Sequence, residues 1–159
     1  MTDDTHFDYI IIGNGLAGLQ LAIKLASDLF FINKQIALID PSTKSTNDKT
    51  WSFWEENSSR WDNITHKSWK KASVITSKKT IDLKLQPYIY KTIRAIDFYN
   101  EAKAKLKEHN NIHFIIDTVK SVTENDLVEV KTENQTFTAT HVFDSRIPED
   151  FFTSSKQHI

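Results

Sequence analysis

The chain has 159 residues, of which 39% are hydrophobic and 26% charged, a balance typical of a folded globular domain and not of a disordered chain. The net charge of −1 argues against a nucleic-acid partner held by bulk electrostatics. The absence of cysteine excludes a disulfide scaffold and thiolate-bound metal, and the six histidines form no metal-ligand pattern, so no metal site is predicted.

The chain is predicted to be cytoplasmic. Its first residues, Met1–Asp4, are acidic, unlike the basic start of a secretory signal. No apolar run approaches the roughly 18 residues that are needed to span a bilayer.

The first forty residues predict a strand, a helix and a second strand. Phe7–Ile12 is a mostly apolar run, typical of a parallel strand that is buried on both faces. Apolar residues at helical spacing predict a helix over Leu16–Leu29, and Gln35–Asp40 is a second apolar strand that ends before Pro41. This β-α-β order predicts an α/β fold, a Rossmann-like domain on a parallel sheet.

The remainder of the chain adds short strands and one helix. Residues 40–63 are predicted to be a loop, and Glu124–Asp126 and Glu133-Asn134 to be hairpin turns. The sequence thus predicts an inserted antiparallel hairpin or meander in a domain over residues 1–150, and a polar tail over 151–159 where the chain is truncated. The predicted elements are strands Ala72–Ser77 and Thr80–Leu85, the helix Ala95–His109, and strands Ile112–Asp117, Leu127–Lys131, Gln135–Ala139 and His141–Phe143.

All the glycines of the chain fall between the first predicted strand and the first predicted helix, as Gly13-x-Gly15-x-x-Gly18. Gly13 allows a tight turn, Gly15 leaves room for a pyrophosphate, and Gly18 lets the helix pack close to the sheet. Leu16 and Ala17 open the helix, whose unpaired N–H groups and partial positive charge favour phosphate. The motif predicts a dinucleotide site, and the alternative is a plain turn.

Asp40 ends the second predicted strand, downstream of Gly18 at the spacing that is typical of dinucleotide-binding domains. An acidic side chain at this place accepts hydrogen bonds from a ribose hydroxyl and repels a 2′-phosphate, which disfavours NADP. The alternative is that Asp40 is only a strand-end residue. These residues together do not distinguish FAD from NAD.

Four segments carry more specific motifs. Asp8–Ala22 is the strand-turn-helix with the glycines, and Asn47–Glu55 reads NDKTWSFWE. Tyr90–Tyr99 reads YKTIRAIDFY, and Val142–Arg146 ends in D-S-R. Together these segments resemble the N-terminal part of the lycopene β-cyclase family. The T-W-x-F-W stretch is the specific part of the resemblance, because many flavoproteins share the glycine motif.

The resemblance implies an FAD-binding fold and a non-redox isomerisation. In this family the linear ψ end groups of lycopene close to β-rings, giving β-carotene, with reduced FAD required and NADPH as the usual reductant. The implied substrate is therefore an apolar carotenoid. The family's acidic F-L-E-E-T-type segment is absent from this sequence, so no residue is assigned a catalytic role. Two alternatives are a non-catalytic FAD-binding fragment and the N-terminal part of another flavin-dependent monooxygenase or reductase.

The resemblance also suggests site residues beyond the glycine motif. Trp51, Phe53 and Trp54 either line the flavin or polyene site, which needs an apolar wall, or pack as an ordinary core. Arg94 precedes the second predicted helix, where it either contacts the cofactor or lies on the surface. Val119 follows a strand that reaches the adenine end of the cofactor in related flavoproteins, which implies a backbone contact.

Two charged stretches each allow two interpretations. Glu55-Glu56 is either a general acid pair or, as we expect, a solvated pair at the start of a helix. The basic and aromatic stretches Trp69–Lys71 and Lys78-Lys79 either make peripheral contact with an anionic membrane or keep exposed hairpin ends soluble.

Overall fold

The computed structural model describes residues 5–147 and residue 151. The chain divides into two units, the first built from Met1–Thr43 and Ala104–Ile159 and the second from Lys44–Lys103. The predicted polar tail over 151–159 lies, apart from residue 151, outside the described residues. In the described part of the chain, no helix is long and apolar enough to cross a membrane.

Eleven strands and two α-helices follow one another along the described residues. They are β1 (His6–Ile12), α1 (Leu16–Ala26), β2 (Ile36–Asp40), β3 (Thr50–Glu55), β4 (Thr65–Trp69), β5 (Ala72–Ile75), β6 (Thr80–Leu83), β7 (Ile89–Arg94), α2 (Ala95–Leu106), β8 (Ile112–Ile116), β9 (Val119–Glu124), β10 (Val128–Thr132) and β11 (Thr136–Asp144).

The first unit contains a six-stranded sheet in the order β8-β2-β1-β11-β10-β9. Its first four strands are parallel, and β10 and β9 extend it as an antiparallel meander. Because β1 lies between β2 and β11, its carboxyl end meets the ends of both neighbours. This arrangement confirms the predicted parallel sheet with a β-α-β start and an added meander.

The core of the first unit is formed largely by side chains of the sheet, including those of β1, which precedes the glycine motif, and of β2. Each residue of β2 is buried, which is why that strand reads as a continuous apolar run. In α1 the buried positions recur at helical spacing, and burial of each aliphatic side chain contributes about 1.5–3 kcal/mol. The core residues include Phe7, Ile10, Ile12, Ala37, Ile39, Val130, Phe137 and Ala139.

Both helices end earlier than the sequence predicts. The carboxylate of Asp28 accepts a hydrogen bond from the Phe30 N–H at 3.0 Å and caps a short 3₁₀ turn, so α1 stops at Ala26 and not at Leu29. The predicted second helix ends at Leu106 and not at His109, because the following residues form a turn. In that turn the Asn111 side chain donates to two backbone carbonyls of the 31–34 segment.

The second unit contains three strands that the sequence does not reveal. Residues 50–55, expected to be loop, form β3, and residues 65–69 and 89–94 form β4 and β7. The three strands pair antiparallel in the order β3-β7-β4. β5 and β6 form a separate two-stranded sheet, as predicted.

Two further differences concern the meander of the first unit. β9 was not expected, and the strands predicted at Gln135–Ala139 and His141–Phe143 are one continuous strand, β11. The turns at 125–127 and 133–134 lie where polar residues predict them.

Candidate functional site

The turn after β1 requires glycine at its first position. Gly13 has φ +103°, a conformation that residues with a Cβ rarely adopt, and its N–H donates to the Ile39 carbonyl at 2.8 Å. A Cβ at Gly13 would also collide with the hydroxyl of Ser145. The backbone therefore turns sharply off the sheet at this residue.

Gly18 is required for a different reason, the close approach of α1 to the turn. A Cβ on Gly18 would collide with the Gly13 carbonyl oxygen and lie 3.2 Å from the Ile11 side chain. The first turn of α1 therefore packs directly against the end of β1, as the spacing of the motif predicts.

Gly15 is the glycine that the protein itself does not require. It precedes α1 with φ −80° and ψ −167°, an extended conformation open to any residue. Among the described residues, no atom beyond its chain neighbours lies within 4 Å of where its Cβ would be. A Cβ would occupy open space beside the start of the helix. This is the space that a group lying against the backbone needs, which fits a dinucleotide pyrophosphate.

The start of α1 offers donors to such a group. No side chain caps the helix at Gly15, and the first N–H groups of a helix have no partner within it. Leu16 is half-buried and Ala17 exposed in this first turn. The partial positive charge of an 11-residue helix adds to the attraction for an anion.

Asp40 lies at the carboxyl end of β2, where its side chain is only 6% exposed. Its Oδ2 accepts a hydrogen bond from the Asn14 N–H at 2.7 Å, and its Oδ1 accepts one from the Ser42 N–H at 2.8 Å. Asp40 thus fixes the glycine turn to the end of β2. Each carboxylate oxygen has a second lone pair, so a bond from a ribose hydroxyl is compatible with these contacts.

Asn14 carries a polar group without a protein partner. The residue is 6% exposed, and within the described part of the chain its Oδ1 makes no hydrogen bond. A buried acceptor left unpaired costs about 1–3 kcal/mol. A donor group on a ligand beside the glycine turn would remove this cost, which is a second observation that fits a bound dinucleotide.

The end of β11 completes the site, and the sequence motif D-S-R gave no indication of this role. The Ser145 hydroxyl donates to the Ile12 carbonyl at 2.7 Å, at the last residue of β1. The Arg146 guanidinium donates to both oxygens of Asp144, and its Nη1 donates to the Val119 carbonyl at 2.9 Å. Burial opposes ionisation of Asp144, but hydrogen bonds from Arg146 outweigh it and hold the pKa of that carboxyl below its usual value.

Val119 is the first residue of β9 and is buried. Its carbonyl is held by Arg146, so the backbone at this predicted cofactor contact is fixed in place. The first unit therefore carries the glycine turn, the start of α1, Asp40 and Val119.

The other predicted site residues belong to the second unit. Arg94 ends β7 and is exposed, and its guanidinium forms a two-pronged ion pair with Asp97 at 2.7 and 2.9 Å. Hydrogen bonds from Arg94 lower the pKa of the Asp97 carboxyl despite partial burial, and the same pair raises the pKa of Arg94.

The three aromatic residues of the T-W-S-F-W stretch are divided between the two faces of β3. Side chains alternate along a strand, so Trp51 and Phe53 share one face and Trp54 lies on the other. Trp51 packs edge-on against Phe98 at 5.5 Å, whereas Trp54 is 53% exposed. The aromatic residues therefore do not form one continuous wall within this unit.

Glu55-Glu56 does not open a helix, contrary to the sequence-based expectation. Glu55 is the last residue of β3, opposite Ile89 of β7. Its carboxylate and that of Asp62 accept hydrogen bonds from the buried Lys91 ammonium at 2.8 and 2.6 Å. The hydrogen bonds that Lys91 donates, first to Asp62 and then to Glu55, raise its pKa. Through this ion pair with Lys91, Glu55 links the end of β3 to β7.

A family model described as lycopene cyclase protein matches residues 8–156. No curated protein matches the chain.

Several solved structures share the fold. The flavin-dependent brominase Bmp2 is 18% identical with a TM-score of 0.65, over 93% of this chain and 40% of that one. The p-nitrophenol 4-monooxygenase PnpA from Pseudomonas putida is 13% identical with a TM-score of 0.68, over 87% and 40%. The halogenase PltM, solved with phloroglucinol and FAD, is 15% identical with a TM-score of 0.64, over 88% and 34%. The fold is thus Rossmann-like, of the FAD-binding type, and the chain spans about two-fifths or less of these proteins.

Proposed function

The chain belongs to the lycopene cyclase family, and on that premise we propose that it is the FAD-binding part of an enzyme that closes the ψ end groups of lycopene to β-rings. The observation that carries the proposal is Gly15. Its missing Cβ leaves open space at an uncapped helix start, where the protein's own packing requires no glycine. The unpaired Oδ1 of Asn14 beside it adds a buried acceptor for a ligand donor.

The residues of the first unit have separate roles in this proposal. The turn from Gly13 to Gly18 and the N–H groups of Leu16 and Ala17 hold the pyrophosphate, and Asp40 accepts from the ribose. The backbone of Val119 contacts the adenine end. Arg94 belongs to the second unit, and as a proposed cofactor contact it would first have to release Asp97.

In the proposed reaction no net electrons pass to the carotenoid. A terminal double bond is protonated, the cation closes on a neighbouring double bond, and a proton leaves. Bound FAD in its reduced form, with NADPH as external reductant, would supply negative charge that stabilises a nearby cation. The half-buried side chains of Trp51 and Phe53 give the substrate an apolar contact. In this proposal the protein acts in the cytoplasm, at a membrane that holds the carotenoid.

The test is a titration of the purified chain with FAD, followed by flavin fluorescence. Binding that is lost in Gly15→Val, with an unchanged circular dichroism spectrum, supports the proposal. Ala104→Val, which places the same valine side chain at an exposed position of α2, is the control and should bind like the parent. Equal binding by the parent and Gly15→Val would refute the site. A change from the red of lycopene to the yellow-orange of β-carotene in a lycopene-accumulating bacterial host tests the cyclisation itself.

A second candidate is a flavin-binding module without catalysis of its own, or the N-terminal part of a monooxygenase or reductase. Its monooxygenase form is favoured by the likeness of the fold to the p-nitrophenol 4-monooxygenase PnpA. FAD binding without lycopene conversion would favour this candidate over the cyclase.

A further inference from the structure

The β5–β6 hairpin exposes an apolar face. Val74 pairs with Ile81 and Ala72 with Leu83, so these four side chains lie on one face of the two-stranded sheet. Val74, Ile81 and Leu83 are 46, 41 and 43% exposed. The opposite face carries the hydrogen bond from the Ser73 hydroxyl to Asp82 at 2.6 Å.

Two strands alone make a marginally stable sheet in water. Among the described residues β5 and β6 form a sheet of their own, so no third strand extends the hairpin. A contact that removes the three large aliphatic side chains from water would stabilise the hairpin as well as bind it.

The charge around this face is strongly positive. Residues 70–84 contain five lysines and one aspartate, a net charge of +4, whereas the whole chain carries −1. All five lysines are exposed: Lys70, Lys71, Lys78, Lys79 and Lys84. Lysines can keep a hairpin end soluble, but solubility does not explain the exposed aliphatic side chains between them.

We propose that the β5–β6 hairpin docks its Val74–Ile81–Leu83 face on an anionic lipid surface. Aliphatic side chains enter the boundary of the headgroups and acyl chains while the lysine stems extend and their ammonium groups contact anionic headgroups. An acidic protein surface would match the positive charge of the lysines. Charge matching alone, however, would not require aliphatic side chains at the centre of this small face. The inference rests on the proposed function and names the surface through which the protein would contact the membrane. Its test requires neither FAD nor carotenoid.

The experiment measures binding of the purified chain to vesicles by sedimentation. One set of vesicles is phosphatidylcholine alone, and the other contains roughly 30% phosphatidylglycerol. We expect binding to the anionic vesicles only, and weaker binding as salt rises, because ions screen the attraction.

Charge variants locate the contact. Lys78→Glu with Lys79→Glu should weaken vesicle binding roughly 25-fold or more, since each lysine near an anionic surface contributes about fivefold. Lys107→Glu with Lys131→Glu makes the same charge change at exposed positions of the first unit and should have little effect. Ile81→Ser tests the apolar face and should also weaken binding, with its thermal unfolding measured alongside.

Three outcomes would overturn the proposal. The first is equal binding to neutral and anionic vesicles, and the second is an equal loss of binding in the two lysine-pair variants. The third is self-association of the chain through this face, in which case Ile81→Ser abolishes a dimer and leaves vesicle binding unchanged. Failure of FAD binding would overturn the proposed cofactor site and leave this result unaffected.

Discussion

The hydroxyl of Ser145 lies against Gly13, where any other residue at position 13 would carry its Cβ. The same hydroxyl donates to the carbonyl of Ile12, the residue before the turn. The end of β11 therefore supports the glycine turn from the side opposite Asp40's strand, and the turn is held by both neighbours of β1.

This contact predicts a coupling between the two positions. Gly13→Ala should destabilise the protein by about 2–3 kcal/mol, because its positive φ and the collision with Ser145 both oppose a Cβ. In a Ser145→Gly background the collision is absent, and the cost of Gly13→Ala should fall by about 1 kcal/mol. Urea unfolding of the four proteins in this cycle measures the coupling. An identical cost in both backgrounds would show that backbone conformation alone requires the glycine.

The second prediction separates the two other glycines of the motif. Gly15→Ser should leave the free energy of unfolding within about 0.5 kcal/mol of the parent, because the position is open and serine is a favoured residue before a helix. Gly18→Ser should cost about 2 kcal/mol or more, because its Cβ meets the Gly13 carbonyl. Urea unfolding compares them. Equal destabilisation by both substitutions would contradict the distinct roles described for them.

The third prediction concerns Asp40. In Asp40→Asn one carboxylate oxygen becomes an NH₂ group, which cannot accept from the Asn14 or Ser42 N–H, so the variant should lose about 1–2 kcal/mol of stability. It should also bind FAD more weakly than the parent. Asp126→Asn, at an exposed turn, is the control and should change neither quantity. A variant that keeps parental FAD affinity would argue against the ribose contact.

The fourth prediction is a pH dependence set by the Lys91 cluster. The hydrogen bond from Lys91 lowers the pKa of the Asp62 carboxyl. A carboxyl with a depressed pKa adds stability above its ordinary pKa of 3.8, and that stability is lost as pH falls through the depressed value. The raised pKa of Lys91 works in the opposite sense, and its stability is lost only as pH rises above the ordinary 10.5.

Urea unfolding between about pH 2 and pH 7 should therefore show an acid loss that is smaller in Asp62→Asn than in the parent. Lys91→Met should lower the free energy of unfolding near neutral pH, because the two carboxylates then lose the cation that they share. Asn57→Ala, beside the cluster but without a charge, is the control. If stability falls at acid pH as much in Asp62→Asn as in the parent, other carboxyl groups are responsible for the pH dependence.

The sequence reveals the start of the first unit because its determinants are local. β1 and β2 are buried on both faces, so they read as short apolar runs, and the glycines lie at fixed spacings between strand and helix. The strands of the second unit lack such a pattern. β3 mixes polar and aromatic residues and becomes a strand by pairing with β7, about forty residues later.

The contribution of Ser145 and Arg146 could not be predicted for a similar reason. Ser145 contacts Ile12, 133 positions earlier, and this contact depends on β11 lying parallel to β1. Arg146 reaches the Val119 carbonyl, 27 positions earlier, across the intervening meander. A side chain at a strand end gives no local indication of which other strand end it will reach. The D-S-R motif could be recognised, but its role depends on the sheet order.

The central position of β1 also has a consequence for synthesis on the ribosome. β1 is translated before the other described strands, yet its partner β11 pairs His6 with Thr138, 132 positions later in the chain. Until β11 emerges, one edge of β1 presents unpaired N–H and C=O groups and the glycine turn lacks Ser145. Nascent chains stalled before β11 should therefore be the species most prone to pair with one another, and capture of the proposed cofactor should follow the emergence of β11.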